Sequence, residues 1–204
     1  MRKILIEQED LKEELNFFNT KFLFQSPCGQ LLLVAYGGKL CMCDWIGSKR
    51  LISNIKRLHR FITSDRVPTG YSGMTEESNA NIDYENHESA DNSVINAAIK
   101  ELKEYFAHRR TEFDIPLLLS GTDFQNKVRS FLQEIPYGET LSYRSVASAI
   151  GLPHGIRAVA SAIAANPLSI FLPCHRVIAS DGSLGGYAGG MCAKKYLLNL
   201  EANG

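Results

Sequence analysis

The chain has 204 residues, 45% hydrophobic and 22% charged, and its 22 Lys and Arg balance 22 Asp and Glu. That composition provides enough apolar side chain for a folded core and excludes disorder of the chain as a whole. No stretch approaches the ~20 apolar residues of a membrane span, and the opening MRKILIEQEDLKEEL has no apolar run of signal-peptide length, so a cytoplasmic protein without membrane contact is expected. The length suits two small domains. Five cysteines, an odd number without an export signal, read as free thiols of a reducing compartment.

In chain order, FLFQSPCGQLLLVAYGGKLCMCDWIG has short apolar runs broken at Pro27-Cys28-Gly29 and Gly37-Gly38, the pattern of a β-hairpin or meander. Cys28, Cys41 and Cys43 read as small buried hydrophobes in strands. Cys41-Met42-Cys43 lacks the two-residue gap of a zinc knuckle and no matching pair follows, so no metal is expected. Residues 63–93 are rich in Ser and Asn and carry seven acids, from Asp65 to Asp91, against Arg66 alone. They are predicted to form a solvated surface insertion. Beyond it, Val94, Ala97, Ala98, Leu102, Tyr105 and Phe106 share one helical stripe. A first α/β domain therefore spans 1–113, DIPLLLSG is a connector, and a second domain spans 114–204.

From Thr122 the pattern is of short helices. Phe124, Val128, Phe131 and Leu132 mark one that closes before Pro136-Tyr137-Gly138. Val146, Ala147 and Ile150 mark a second, opened by Ser142 and stopped by Gly151. A third begins after Pro153, turns Ile156, Val159, Ala160 and Ile163 inward, and ends at Asn166-Pro167. Helices two and three, joined by a Gly-containing turn, outline a helix-turn-helix. The outer face of the third offers Arg157, Ala158, Ser161 and Ala162, which leaves room for a partner backbone and fits nucleic acid, although alanine is also simply a good helix former.

The run LSIFLPCHRVI reads as an extended segment that delivers Cys174 beside His175 and Arg176. A neighbouring cation or base turns a thiol into a nucleophile, while adjacent strand residues face opposite ways. His175 would then work on Cys174 through a water or a bent backbone, and would need a carboxylate to fix its tautomer, with Glu201 the late candidate. The competing reading makes Cys174 a core thiol.

Residues 121–201 resemble the C-terminal domain of methylated-DNA-protein-cysteine methyltransferases, the 6-O-alkylguanine-DNA alkyltransferases. The likeness rests on Ile135-Pro136-Tyr137-Gly138, Ser142-Tyr143, Arg157-Ala158-Val159, Asn166-Pro167, Pro173 to Val177 and Gly186-Tyr187-Ala188-Gly189-Gly190. Over 1–113 the likeness is one of order only. It implies an α+β protein: a small ribonuclease-H-like α/β domain, then a mostly helical domain with a winged-helix-like helix-turn-helix. It implies direct reversal repair, in which the alkyl group of 6-O-alkylguanine, with 4-O-alkylthymine a second candidate, passes irreversibly to Cys174 after base flipping, once per molecule and without a cofactor. His175 would be the base, through water, and Glu201 its orienting group; Asn166 would bond across the site, and Tyr143 would crowd the phosphate and protonate the leaving guanine. Arg157 would fill the duplex from the minor groove, with Arg144, Ala158 and Ser180 also on the DNA, while Tyr187, Ala188, Gly189 and Val177 would border the pocket. The partner implied is double-stranded DNA, bound by a monomer.

Arg129 stands where Trp commonly follows Val in that family, and Ala160 where Gly is often found; both are read as outside the chemistry. The presence of Cys174 disfavours relatives that bind lesions without repairing them. A cysteine hydrolase lacks its usual signature around the thiol, and a helix-turn-helix regulator would need base-reading side chains where Ala and Ser stand. From Ile115 onward seven Lys and Arg face five acids. So small an excess predicts that the acidic insertion projects away from the third helix.

Overall fold

The computed structural model describes residues 14–64 and 84–204. Three strands, β1 (Lys21–Ser26), β2 (Gly29–Tyr36) and β3 (Lys39–Trp45), form an antiparallel meander in sequence order. The continuous apolar run of β2 has its reason in burial on both faces. Leu31, Leu33 and Ala35 pack with helix α2 (Tyr84–Phe106), while Leu32 and Val34 pack with Leu51, Ile55 and Leu58 of helix α1 (Leu51–Ile62). Cys41 and Cys43 are buried in β3, whereas Cys28 sits in the turn between β1 and β2 and is only half-buried.

Helix α2 starts ten residues before the predicted stripe, so 84–93 are helical and not loop. Asp91, one of the insertion's seven acids, is buried, and its carboxylate accepts the Gly38 N–H at 2.6 Å. A carboxylate that satisfies a turn amide fixes the helix where apolar periodicity gives no signal. Residues 65–83 lie outside the described residues, and so does the expectation about where the insertion projects.

The second half is helical. Helix α3 (Asp123–Gln133) opens on a capping box: Thr122 Oγ1 accepts the Gln125 N–H and Gln125 Oε1 accepts the Thr122 N–H, both at 3.2 Å. Strand β4 (Leu141–Ser142) leads into α4 (Tyr143–Ala149), capped by Ser142, and a turn connects it to α5 (Ile156–Ala164). Val128, Leu132, Val146, Val159 and Ile163 close this core. The predicted inward face of α5 is partly reversed: Ala162 is buried, and Ala160 is half-exposed. Strand β5 (Val177–Ile178) pairs with β4, and α6 (Gly190–Ala202) ends the fold.

The two halves are stitched along the outer edge of β3. Its Leu40 exchanges backbone bonds with Pro116 and Leu118 of the connector, and its Cys43 exchanges bonds of 2.8 and 2.7 Å with Pro167 and Ser169. An otherwise open strand edge is thereby paired, and the segment before Cys174 is held against the sheet. Leu168, Ile170, Phe171 and Leu172 pack into the same core as β2 and α2. Among the described residues no helix is long and apolar enough to cross a membrane.

Candidate active site

The run ahead of Cys174 is a compact turn, not the extended segment predicted. Leu172 N–H bonds back to Leu168 O at 2.8 Å, and Ile170 takes φ of 74°. A β-branched residue there is strained by about 1–3 kcal/mol. Asn166 holds the turn: its Nδ2 donates to Leu172 O at 3.0 Å and its Oδ1 accepts the Leu168 N–H at 3.0 Å. A buried segment without ladder partners needs such a side chain to satisfy its backbone. Pro173 then starts a 3-10 turn, Cys174–Arg176. The backbone that carries Cys174, His175 and Arg176 is thus bent.

Cys174 is 6% exposed. Burial pushes its thiol up to about 11, against the hydrogen bond from Asn166 and the charge of Lys194, with Asp44 adding to the rise. Left alone it would stay a thiol at neutral pH, so a base is required. His175 is fully buried, and its Nε2 lies 2.8 Å from Glu201 Oε1. Burial lowers its basicity although Glu201 works in the opposite sense, and the ring is therefore neutral at pH 7. A neutral ring bonded to a carboxylate carries its proton on Nε2. The other nitrogen, Nδ1, is buried and has no hydrogen-bond partner among the described residues.

Glu201 is the hub of the site. Burial alone would raise its carboxyl, but the bonds from His175 and Arg176 bring it down to about 2. Arg176 reaches it twice, through Nε at 2.8 Å and Nη2 at 3.0 Å. The Tyr105 hydroxyl donates to it at 2.7 Å, and the Gly138 N–H at 3.2 Å. Gly138 has φ of 79°, and a Cβ there would stand 3.1 Å from the Glu201 carbonyl. The Ile135-Pro136-Tyr137-Gly138 turn is thus shaped around this carboxylate.

Cys174 opens into a cavity of about 950 Å³, whose wall also includes Tyr143, Asn166, Tyr187, Ala188, Gly189 and Trp45. The β4–β5 pairing sets Leu141 opposite Val177 and so brings Tyr143 beside the 3-10 turn. The Tyr143 phenol is raised by burial and further by the Cys174 sulfur, and it keeps its proton. Trp45 comes from the first half of the chain: its Nε1 donates to Tyr187 Oη at 3.3 Å, and a Cβ on Gly189 would strike its indole at 2.6 Å. Val177 is fully buried in the second core, off the cavity lining. Arg157 and Ala158 are exposed on α5, as are Arg144 on α4 and Ser180 after β5.

Sequence reasoning missed several members. Tyr105 counted only as apolar stripe, although a buried phenol needs a partner. Trp45 carried no signal beyond its size. Arg129 is fully buried, with Nη1 on Ser120 O at 2.8 Å and Nη2 on Ala165 O at 2.9 Å. It therefore braces the residue before Asn166, and Ala160 lines the cavity. Both departures touch the frame of the site. Among the described residues no group of three or more His, Cys, Asp or Glu could hold a metal ion.

Residues 20–119 match the model of the ribonuclease-like domain of 6-O-methylguanine DNA methyltransferase, and residues 123–203 match that of its DNA-binding domain. A methylated-DNA–protein-cysteine methyltransferase of Mycobacterium bovis is 49% identical over 115 residues, which are 56% of this chain and 70% of the relative. The constitutive enzyme of that name from Bacillus subtilis is 46% identical over 118 residues, 57% of this chain and 72% of its own. The crystal structure of Mycobacterium tuberculosis OGT in complex with DNA superposes with a TM-score of 0.65 at 35% identity, over 89% of this chain and 91% of that one.

Proposed function

The chain belongs to the methylated-DNA–protein-cysteine methyltransferase family, and from that premise we propose that it repairs alkylated double-stranded DNA by moving the alkyl group from the guanine O6 to Cys174, irreversibly and once per molecule. The observation that carries the residue assignment is His175: Glu201 and burial leave a neutral ring whose Nδ1 has no partner among the described residues, on the residue that follows a thiol in need of a base. Nδ1 takes the thiol proton through a bridging water. The thiolate sulfur forms a bond to the alkyl carbon as the carbon–O6 bond breaks, and its electron pair stays on guanine. Tyr143 supplies the proton that guanine gains and recovers one from solvent, to which His175 gives up the proton it took from the thiol, so the net products are a thioether and guanine. A thioether has no easy return to thiol, which makes the turnover single, and the balance needs no cofactor.

Residues 114–204 bind the duplex and carry the acceptor; residues 1–113 support them. The helix pair α4–α5 acts as a helix-turn-helix in the minor groove, with Arg157 filling the space of the flipped base and Arg144, Ala158 and Ser180 on the backbone. The small side chains of α5 suit a lesion found in any sequence. The protein works as a monomer in the cytoplasm with access to the chromosome.

The test is to incubate the protein with duplex DNA carrying labelled 6-O-alkylguanine and to map the mass increment by peptide analysis. The increment is expected on Cys174 and is expected to vanish in Cys174→Ser, which still binds DNA. A label on the exposed Cys192, or one kept by Cys174→Ser, refutes the assignment.

A further inference from the structure

Helix α1 and the turn before it are strongly basic. Residues 46–64 contain Lys49, Arg50, Lys56, Arg57 and Arg60 and no carboxylate. Lys56 is committed to Glu14 at 3.7 Å, and Arg57 turns inward to Ala165 O at 3.0 Å. The Arg57 guanidinium is held below its usual range, by burial first and then by Arg50, with Arg60 adding to the effect and Asp44 opposing it. Lys49 and Arg50 are exposed, and neither pairs with a carboxylate among the described residues. Both line the cavity that holds Cys174, whose lining also includes Ala160 and Ala164 of α5.

This placement constrains any nucleotide that reaches the thiol. Only the base enters the cavity, because its phosphates continue into the strand on either side and must remain at the mouth. Charges at the mouth therefore meet phosphate. We propose that Lys49 and Arg50, on the first half of the chain, form a second DNA-contact surface that grips the backbone flanking the flipped nucleotide. The inference rests on the reading of Cys174 as acceptor of a group from DNA. It explains how a second half with so small an excess of positive charge binds a polyanion.

Binding of the full chain to unmodified duplex DNA, followed by fluorescence anisotropy between about 50 and 200 mM salt, tests it. Each phosphate contact contributes about 0.9 to the slope of log K against log salt, so losing two lowers the slope by about 1.8 and shrinks the wild-type-to-variant affinity ratio about twelvefold across that range. The double variant Lys49→Ala, Arg50→Ala is expected to show this change, and Lys56→Ala, away from the cavity, to keep the wild-type slope. A double variant with the wild-type slope, or a Lys56→Ala that loses as much, overturns the proposal. Transfer of label from the free 6-O-alkylguanine base to the wild-type protein is measured alongside. If that transfer fails, the reading of Cys174 falls, whereas the salt slopes judge the basic surface alone.

Discussion

Glu201→Gln is the most informative single change, because it keeps the shape of the hub and removes its charge. Glu201 is 4% exposed, and its carboxylate accepts from Tyr105, His175, Arg176 and Gly138. Against the pull of burial, His175 and Arg176 take it from 4.5 to about 2, and a lowering of that size is worth about 3 kcal/mol of preference for the ionised form. Breaking a buried ion pair by deleting one partner costs about 3–5 kcal/mol, here because the Arg176 guanidinium stays buried without its counter-charge. The two estimates agree, and for a chain of this size they correspond to a fall of about 6–20 °C in melting temperature. The sign of the pH dependence is fixed as well. A carboxyl held near 2 when folded, and near 4.3 when unfolded, stabilises above about pH 4.3 and loses that contribution as pH falls toward 2. Circular dichroism melts of wild type and variant should differ most at neutral pH and draw together as pH falls from about 4 toward 2. The repair rate should fall too, since the His175 tautomer loses its anchor. A variant that melts within about 2 °C of wild type at pH 7 would refute the hub.

Two further outcomes follow from other parts of the site. Arg157→Ala should lower the ratio of the repair rate on duplex DNA to that on the free alkylguanine base, since only the duplex requires extrusion; equal losses on both substrates would place Arg157 in the pocket or the fold. Because burial lowers His175 from 6.5, the rate on free base should be level near neutrality and decline only below pH 6.5, as protonation removes the base. With the thiol at about 11 and its proton taken by His175, no break is expected at pH 8–9 where an ordinary thiol titrates, and a midpoint at or above 6.5 would contradict a ring whose burial outweighs Glu201.

The sequence made legible whatever has a local period or a local cap. The meander followed from glycine turns between apolar runs, and Thr122 and Ser142 announced their helices because a cap needs only three residues. Cys174, His175 and Glu201 were legible as chemistry, since a buried imidazole without a carboxylate is incomplete. What failed was everything decided at long range. Helix α2 begins early because Asp91 meets Gly38, 53 positions away. The run before Cys174 resembles a strand in composition, yet β3 pairs with only part of it and Asn166 folds the rest into a turn. Tyr105 reaches Glu201 across 96 positions, and no periodicity records such a distance.

Arg129 shows why a departure from a family pattern needs the structure to interpret it. The end of α5 leaves carbonyls without helical partners, and the one on Ala165 receives two guanidinium groups: Arg129 of the second half at 2.9 Å and Arg57 of the first at 3.0 Å. The next residue is Asn166, whose amide holds Leu172 and therefore the turn that presents Cys174. Arg57 belongs to α1, the same helix that Arg50 introduces at the cavity mouth. One helix of the first half thus runs from the proposed phosphate contact to the carbonyl that steadies the thiol-bearing turn. The first half is accordingly part of the site's geometry, supplying a wall through Trp45 and a brace through Arg57.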